Sequence, residues 1–178
     1  MLLSLDRPAG WIDETLKRLQ KPDPEYGSLE ATRAYVEASS PKSFFLVELR
    51  DPKAKRASLL LPLLDALIDA GKDFSCPTER GRLKSWAEAA RPSDFSFGPF
   101  RGLGLKGFQL LRALLAANTI NPTKDVTAFV ARAIGRKVDA PEAAYLLERA
   151  AARLRYDLQG IPPETWTRGL TLRRRKGS

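Results

Sequence analysis

The chain has 178 residues, is 43% hydrophobic and 29% charged, and carries a formal net charge of +9. This length and composition allow a buried core and disfavour disorder throughout. With the single cysteine Cys76 and no histidine, the chain lacks a disulfide framework, a thiolate cluster, a Ser-His-Asp or Cys-His catalytic site and an imidazole metal site. We therefore expect no metal and no cofactor, and any catalysis must use carboxylates, lysine, tyrosine or a hydroxyl.

The apolar segments are too short to cross a membrane. The longest run, residues 57–64, contains Ser58 and Pro62 and falls well below the ~20 residues that a bilayer requires. Asp6 and Pro8 interrupt the segment that would be continuously apolar in a secretory signal. We expect a cytoplasmic protein without a membrane partner, associated with the nucleoid if it is bacterial.

Helical patterns run through the first part of the chain. Residues 12–19 place apolar side chains at helical spacing, and Ser28 is a suitable N-cap for a helix that reaches about Ala38. The segment SFFLVEL, residues 43–49, fits a buried helix or a strand, because a short apolar run does not distinguish them. We take it as a helix.

The pattern continues with an apolar helix over residues 54–70. Proline interrupts helical hydrogen bonding and glycine often ends a helix, so we expect a kink at Pro62 and a terminus at Gly71. Thr78 is a suitable N-cap for the next helix. The first half is thus predicted to be helical.

Three helices are predicted in the second half. The first covers residues 109–117, and the second is an amphipathic helix over residues 126–134 that Gly135 ends. Asp139 and Glu142 form a capping-box-like pair for the third. Its predicted buried face consists of Leu146, Leu147, Ala150, Ala151 and Leu154. The whole chain is therefore predicted to be all-α.

The excess positive charge lies in the second half. Residues 1–100 contain 15 basic and 15 acidic side chains, whereas residues 101–178 contain 15 and 6. Seven of these basic residues and one acid, Asp125, fall between Arg101 and Lys137. Such asymmetry is typical of a surface that binds a polyanion, for which duplex nucleic acid is the commonest cytosolic candidate. A solvated basic surface without a ligand is the open alternative.

The stretch FRGLGLKGFQLL, residues 100–111, places glycines one residue apart before an apolar helix. A glycine turn that opens a helix presents unpaired backbone N–H groups at the positive end of the helix dipole. These groups can hold a phosphate without reading a base. The open alternative is a tight turn between two helices with no ligand, and the missing strand before it argues against a dinucleotide fold.

This stretch resembles the hairpin of the helix-hairpin-helix DNA glycosylase superfamily, which contains endonuclease III and 8-oxoguanine glycosylase. The segment AANTINPTKDVTAFVARAIGRKV, residues 116–138, is similar to the proline-containing loop and the helix that follow the hairpin in that superfamily. The resemblance covers residues 98–168. It implies a compact all-α protein of two lobes with a glycosylase-like region over 98–168. From the residues themselves we expect an N-terminal helical region over 1–97 and a basic, flexible tail over 169–178.

The resemblance also implies a function. It predicts a protein that binds double-stranded DNA and excises or senses damaged or modified bases, as an N-glycosylase or AP lyase. Lys106 stands at the position of the family's catalytic lysine, while the aspartate position falls on Thr123, with Asp125 as the nearest carboxylate. Lys106 and Asp125 are therefore the catalytic candidates. The DNA-binding candidates are Arg101, Gly102, Gly104, Lys106, Gly107, Lys124 and Arg132.

Two other interpretations stay open. Lys106 can serve as a phosphate contact without acting as a nucleophile. The whole chain can also be a helical protein-interaction domain whose basic face binds an acidic partner, which would have no affinity for DNA at moderate salt. Because the family's iron–sulfur cysteines are missing, no iron–sulfur cluster is expected in either case.

Overall fold

The computed structural model describes residues 27–47 and 57–158, with side chains over 27–44 and 57–158. These residues form α-helices and short 3₁₀ turns without a β-strand, which confirms the predicted all-α fold class. None of the described helices is long and apolar enough to span a bilayer. The helix predicted over 12–19 and the basic tail lie outside the described residues. The helices are α1 (Leu29–Ser39), α2 (Pro41–Val47), α3 (Leu60–Lys72), α4 (Glu79–Ala89), α5 (Gly104–Leu114), α6 (Lys124–Ile134) and α7 (Ala140–Leu154).

The described residues fall into two compact units. The first contains the chain through Trp86 together with Phe97–Leu103, and the second contains Ala87–Ser96 and the chain from Gly104 onward. The 3₁₀ turn Gly98–Leu103 therefore belongs to the first unit and α5, which follows it directly, to the second.

In the first unit, α1 packs against α3. Ser28 caps α1 as predicted, because its Oγ accepts a hydrogen bond from the N–H of Ala31 at 3.0 Å. The Leu29 N–H donates to the carboxylate of Glu79 at 3.1 Å, which ties the start of α1 to the start of α4. The core of the unit is formed by Val36, Phe44, Ala57 and Leu64.

The predicted helices of this unit are present, with two corrections. Residues 41–47 form α2, so the helical interpretation of the SFFLVEL segment is confirmed over the part described. The predicted kink at Pro62 is wrong: α3 begins at Leu60, and proline in the first turn removes an N–H that has no intrahelical acceptor. Gly71 is buried inside α3 and does not end it. Thr78 does cap α4, accepting from the Gly81 N–H at 3.1 Å.

In the second unit, α6 packs against α7, and the 3₁₀ turn Pro92–Ser96 packs against both α5 and α7. The chain enters α6 through the N-cap Thr123 and leaves it through Gly135, whose φ of +75° confirms the predicted helix end. The fully buried side chains of this unit include Phe108 of α5 and Val126 of α6. Helices α5 and α6 carry most of the predicted site residues.

The start of α7 forms only half of the predicted capping box. Asp139 caps the helix, since its Oδ1 accepts from the Glu142 N–H at 2.8 Å. The Glu142 carboxylate, however, pairs with Arg136 and not with the backbone of the cap residue. A charged partner within reach therefore replaces the second capping hydrogen bond.

The predicted buried face of α7 is confirmed at Ala151 and wrong at Ala150 and Leu154. Leu154 is 76% exposed and Ala150 is exposed, whereas Ala144, which lies outside the predicted face, is buried. The buried face also contains Glu148, whose carboxylate is held by Arg112 of α5. A pattern based on apolar residues assigns a glutamate to the solvent side, so it rotates the helix away from its actual orientation.

Candidate nucleic-acid interface

The two glycines of the GLG motif serve different purposes. Gly104 has a φ of +63°, and a Cβ added there would meet no atom within 4 Å, so the backbone conformation is what requires glycine. A Cβ on Gly102 would lie 2.5 Å from Cδ2 of Leu59, so a larger residue there would have to displace that side chain. The motif therefore bends the chain into α5, which begins at Gly104 and not, as predicted, at Gln109.

Lys106 lies in the first turn of α5 and is exposed. No residue of the described part of the chain forms a hydrogen bond or ion pair with its ammonium group. The positive end of a helix dipole repels a cation, so Lys106 does not contribute to helix stability by its charge. Of the other predicted residues near it, Gly107 is buried inside α5, and Arg101 is exposed on the first unit.

At the start of α6, Thr123, which the resemblance predicts at the aspartate position of the glycosylases, has a structural role. The hydroxyl of Thr123 accepts a hydrogen bond from the Val126 N–H at 3.3 Å and so caps the helix. Asp125 is exposed in the first turn, where a carboxylate favours the helix dipole. Among the described residues, no hydrogen bond or ion pair joins Asp125 to Lys106.

An open groove of about 490 Å³ runs beside α6. Its cations are Lys124, the first residue of α6, and Lys137, which follows the Gly135 cap; both are exposed and without an ion-pair partner among the residues described. Arg132 is also exposed on α6. We call this surface the basic groove; it is lined by Pro122, Lys124, Thr127, Ala128, Ala131, Lys137, Val138 and Ala140.

The sequence alone does not single out Lys137. This residue belongs to the basic run, but its place beside Lys124 depends on how α6 and the start of α7 pack together. The basic run also overstates the available charge, because Arg112 is buried against Glu148 and Arg136 pairs with Glu142. The hydrogen bond from Arg136 lowers the pKa of the Glu142 carboxyl.

A buried polar network supports the start of α6 from within the second unit. The Arg112 guanidinium donates to both oxygens of Glu148 at 3.0 Å, and its Nη1 also donates to Gln109 at 2.8 Å. The Gln109 amide donates in turn to the Ile120 carbonyl and to Glu148, each at 2.8 Å. The hydroxyl of Thr119 donates to the same carboxylate. This network fixes the loop that leads into α6.

The described residues contain no group of three acidic or cysteine side chains that could bind a metal ion. No family model matches the chain, and neither a curated protein nor a solved structure matches it. The features that bear on function are therefore the geometry and charge of the basic groove and the glycine turn.

Proposed function

We propose that this chain binds double-stranded DNA and that the basic groove is its main phosphate-contacting surface. The observation that carries the proposal is that Lys124 and Lys137 line one groove, are exposed, and have no carboxylate partner among the described residues. Ammonium groups in this state bind phosphates with release of the counterions condensed on DNA, which favours association. The resemblance to helix-hairpin-helix DNA glycosylases supports the same ligand.

The position of the lysines within their helices supports an anionic ligand. Lys106 and Lys124 both lie in the first turn of a helix, where the macrodipole disfavours a cation. A phosphate at the same place interacts favourably with both the ammonium group and the dipole. Cations that do not stabilise their own helices are thus well placed for phosphate binding.

The lining of the groove favours binding without base specificity. Apart from its lysines, it presents the small side chains of Thr127, Ala128 and Ala131. These side chains lack the planar, bidentate hydrogen-bonding groups that discriminate bases. Contacts to phosphates position a duplex but carry no sequence information. We therefore expect similar affinities for duplexes of different sequence.

Of the two activities that the resemblance implies, sensing of DNA fits the site better than base excision. Excision requires a carboxylate to stabilise the positive charge that develops on the sugar. Thr123 has none and caps α6, and Asp125, the nearest carboxylate, has no hydrogen bond or ion pair with Lys106 among the described residues. We expect an abasic duplex to bind without forming a borohydride-trapped adduct; an adduct that is lost in Lys106→Ala would establish Lys106 as a nucleophile and contradict this expectation.

The proposal is tested by comparing two double variants that each remove two positive charges. Lys124→Ala/Lys137→Ala changes the basic groove, whereas Lys42→Ala/Arg80→Ala changes two exposed cations of the first unit. At fixed moderate salt, we expect the groove variant to bind a labelled duplex about tenfold more weakly or worse, and the control variant to bind as the wild type does. Equal affinities of the two variants, or no binding by the wild type, would favour the protein-interaction alternative.

A further inference from the structure

A second concave surface of the second unit surrounds Tyr145 of α7. A cavity of about 520 Å³ is lined by Tyr145, by Arg91 and Arg149, and by small side chains that include Ala117 and Ala152. A smaller cavity of about 270 Å³ adjoins it and shares Arg91 and Tyr145. We call the larger one the Tyr145 cavity. Its volume lies within the range of about 300–1,000 Å³ that is usual for small-molecule sites.

The carboxylates that line these cavities already have partners. Glu148 accepts both Nη groups of Arg112, which neutralises its charge within the fold. Glu142 pairs with Arg136, and Asp139 caps α7. Glu88, the remaining acid on the wall of the Tyr145 cavity, also has an interaction of its own.

The guanidinium groups that line the Tyr145 cavity, unlike the carboxylates, do not form ion pairs among the described residues. The Cζ atoms of Arg91 and Arg149 lie 5.9 and 5.7 Å from the centroid of the Tyr145 ring, which positions both groups by cation–π attraction. Arg149 also donates to the Tyr145 hydroxyl at 3.3 Å. Neither guanidinium group has a carboxylate partner among the residues that the structure describes, since the Asp94 carboxylate accepts only from the backbone N–H of Arg91.

The amide on the cavity wall is held by backbone groups at both its nitrogen and its oxygen. Asn118 donates through Nδ2 to the Tyr156 carbonyl at 2.6 Å and accepts the Leu158 N–H at 2.8 Å. The polar groups left for a ligand are therefore mainly guanidinium N–H donors. A ligand that fits them carries negative charge and several acceptor oxygens.

We propose that the Tyr145 cavity binds a terminal phosphate monoester, carried either by a free mononucleotide or by the 5′ end of a DNA strand. The dianionic group matches the planar donor forks of Arg91 and Arg149. The cavity is larger than the phosphate alone, and its alanine walls leave room for the attached group. None of the residues that line the Tyr145 cavity lines the basic groove, so ligand binding in this cavity does not depend on the proposed function.

Binding is tested by calorimetry with adenosine monophosphate, inorganic phosphate and adenosine as probes. We expect the monophosphate to bind and adenosine to show no binding under the same conditions. Arg149→Gln is expected to lower the affinity for the monophosphate at least about tenfold, because a charge-assisted hydrogen-bonding group is lost. Arg153→Gln, an exposed arginine on the same helix that does not line the cavity, is the matched control and should bind as the wild type.

The DNA arm of the test compares a duplex that has 5′-phosphates with the same duplex that has 5′-hydroxyl ends. If the wild type and Lys124→Ala/Lys137→Ala prefer the phosphorylated ends and Arg149→Gln does not, the Tyr145 cavity binds the phosphate at the end of a DNA strand. Arg149→Lys keeps the charge but lacks the fork, so an intermediate effect supports guanidinium recognition. The proposal is overturned if neither the mononucleotide nor the duplex shows binding that depends on its phosphate. It is also overturned if Arg149→Gln and Arg153→Gln bind the mononucleotide equally well.

Discussion

Gly104 adopts a backbone conformation with a φ of +63°, which costs an ordinary L-residue about 1–2 kcal/mol. Because a Cβ at this position meets open space, the conformation alone sets the effect of a substitution. We expect Gly104→Ala to lower the free energy of unfolding by about 1–2 kcal/mol, and Gly104→Asn to lower it less, because asparagine tolerates this region. Urea unfolding of the two variants measures these losses. The expectation is contradicted if the alanine variant is as stable as the wild type.

Arg112 shows how strongly a buried charge depends on its partner. Its guanidinium and Glu148 are paired inside the second unit, so removing the arginine leaves a carboxylate that is uncompensated and largely buried. We expect Arg112→Leu to lower the free energy of unfolding by about 3–5 kcal/mol. The double variant Arg112→Leu/Glu148→Leu should recover part of this loss, as chemical denaturation would measure. A double variant no more stable than Arg112→Leu would count against the isolated charge as the cause.

At the scale of elements, the sequence predicted helix ends better than helix faces. Capping depends on residues within one turn, so Ser28, Thr78 and Gly135 could be identified from local chemistry. The face of α7 depends on Glu148 and its distant partner Arg112, which no local pattern reveals. The predicted start was less accurate for α5, in which a glycine motif forms the first turn.

The link between the end of α6 and the start of α7 predicts a dependence on pH. The hydrogen bond from Arg136, together with its charge, lowers the pKa of Glu142 in the folded protein below the unfolded value of about 4.3. The pair therefore stabilises the fold fully above the unfolded pKa, and this contribution is lost as pH falls through the folded pKa.

The difference in stability between wild type and Glu142→Gln is the quantity that tests this dependence. We expect it to be largest near neutral pH and to shrink as the solution is acidified below the unfolded pKa, since the pair is then lost in the wild type as well. Denaturant midpoints of both proteins across this interval measure it. A difference that stays constant with pH would mean that the pair does not contribute to folding.

For the molecule as a whole, the net charge of +9 favours a polyanionic ligand but does not indicate which surface of the protein would bind it. Arg112 and Arg136 belong to the basic run and are paired, whereas Lys124 and Lys137 are exposed at opposite ends of α6. Because both ammonium groups line one groove without a carboxylate partner among the described residues, each is expected to contact a phosphate of a bound duplex. Charge counting cannot make this distinction, because pairing and burial are properties of the fold.

The salt dependence of duplex binding tests this surface most directly. Each phosphate contact contributes about −0.9 to the slope of log affinity against log salt, so removing two contacts in Lys124→Ala/Lys137→Ala should make the slope shallower by about 1.8. Lys42→Ala/Arg80→Ala, with the same net charge, should keep the slope of the wild type. A groove variant whose slope equals that of the wild type would contradict DNA binding through the basic groove.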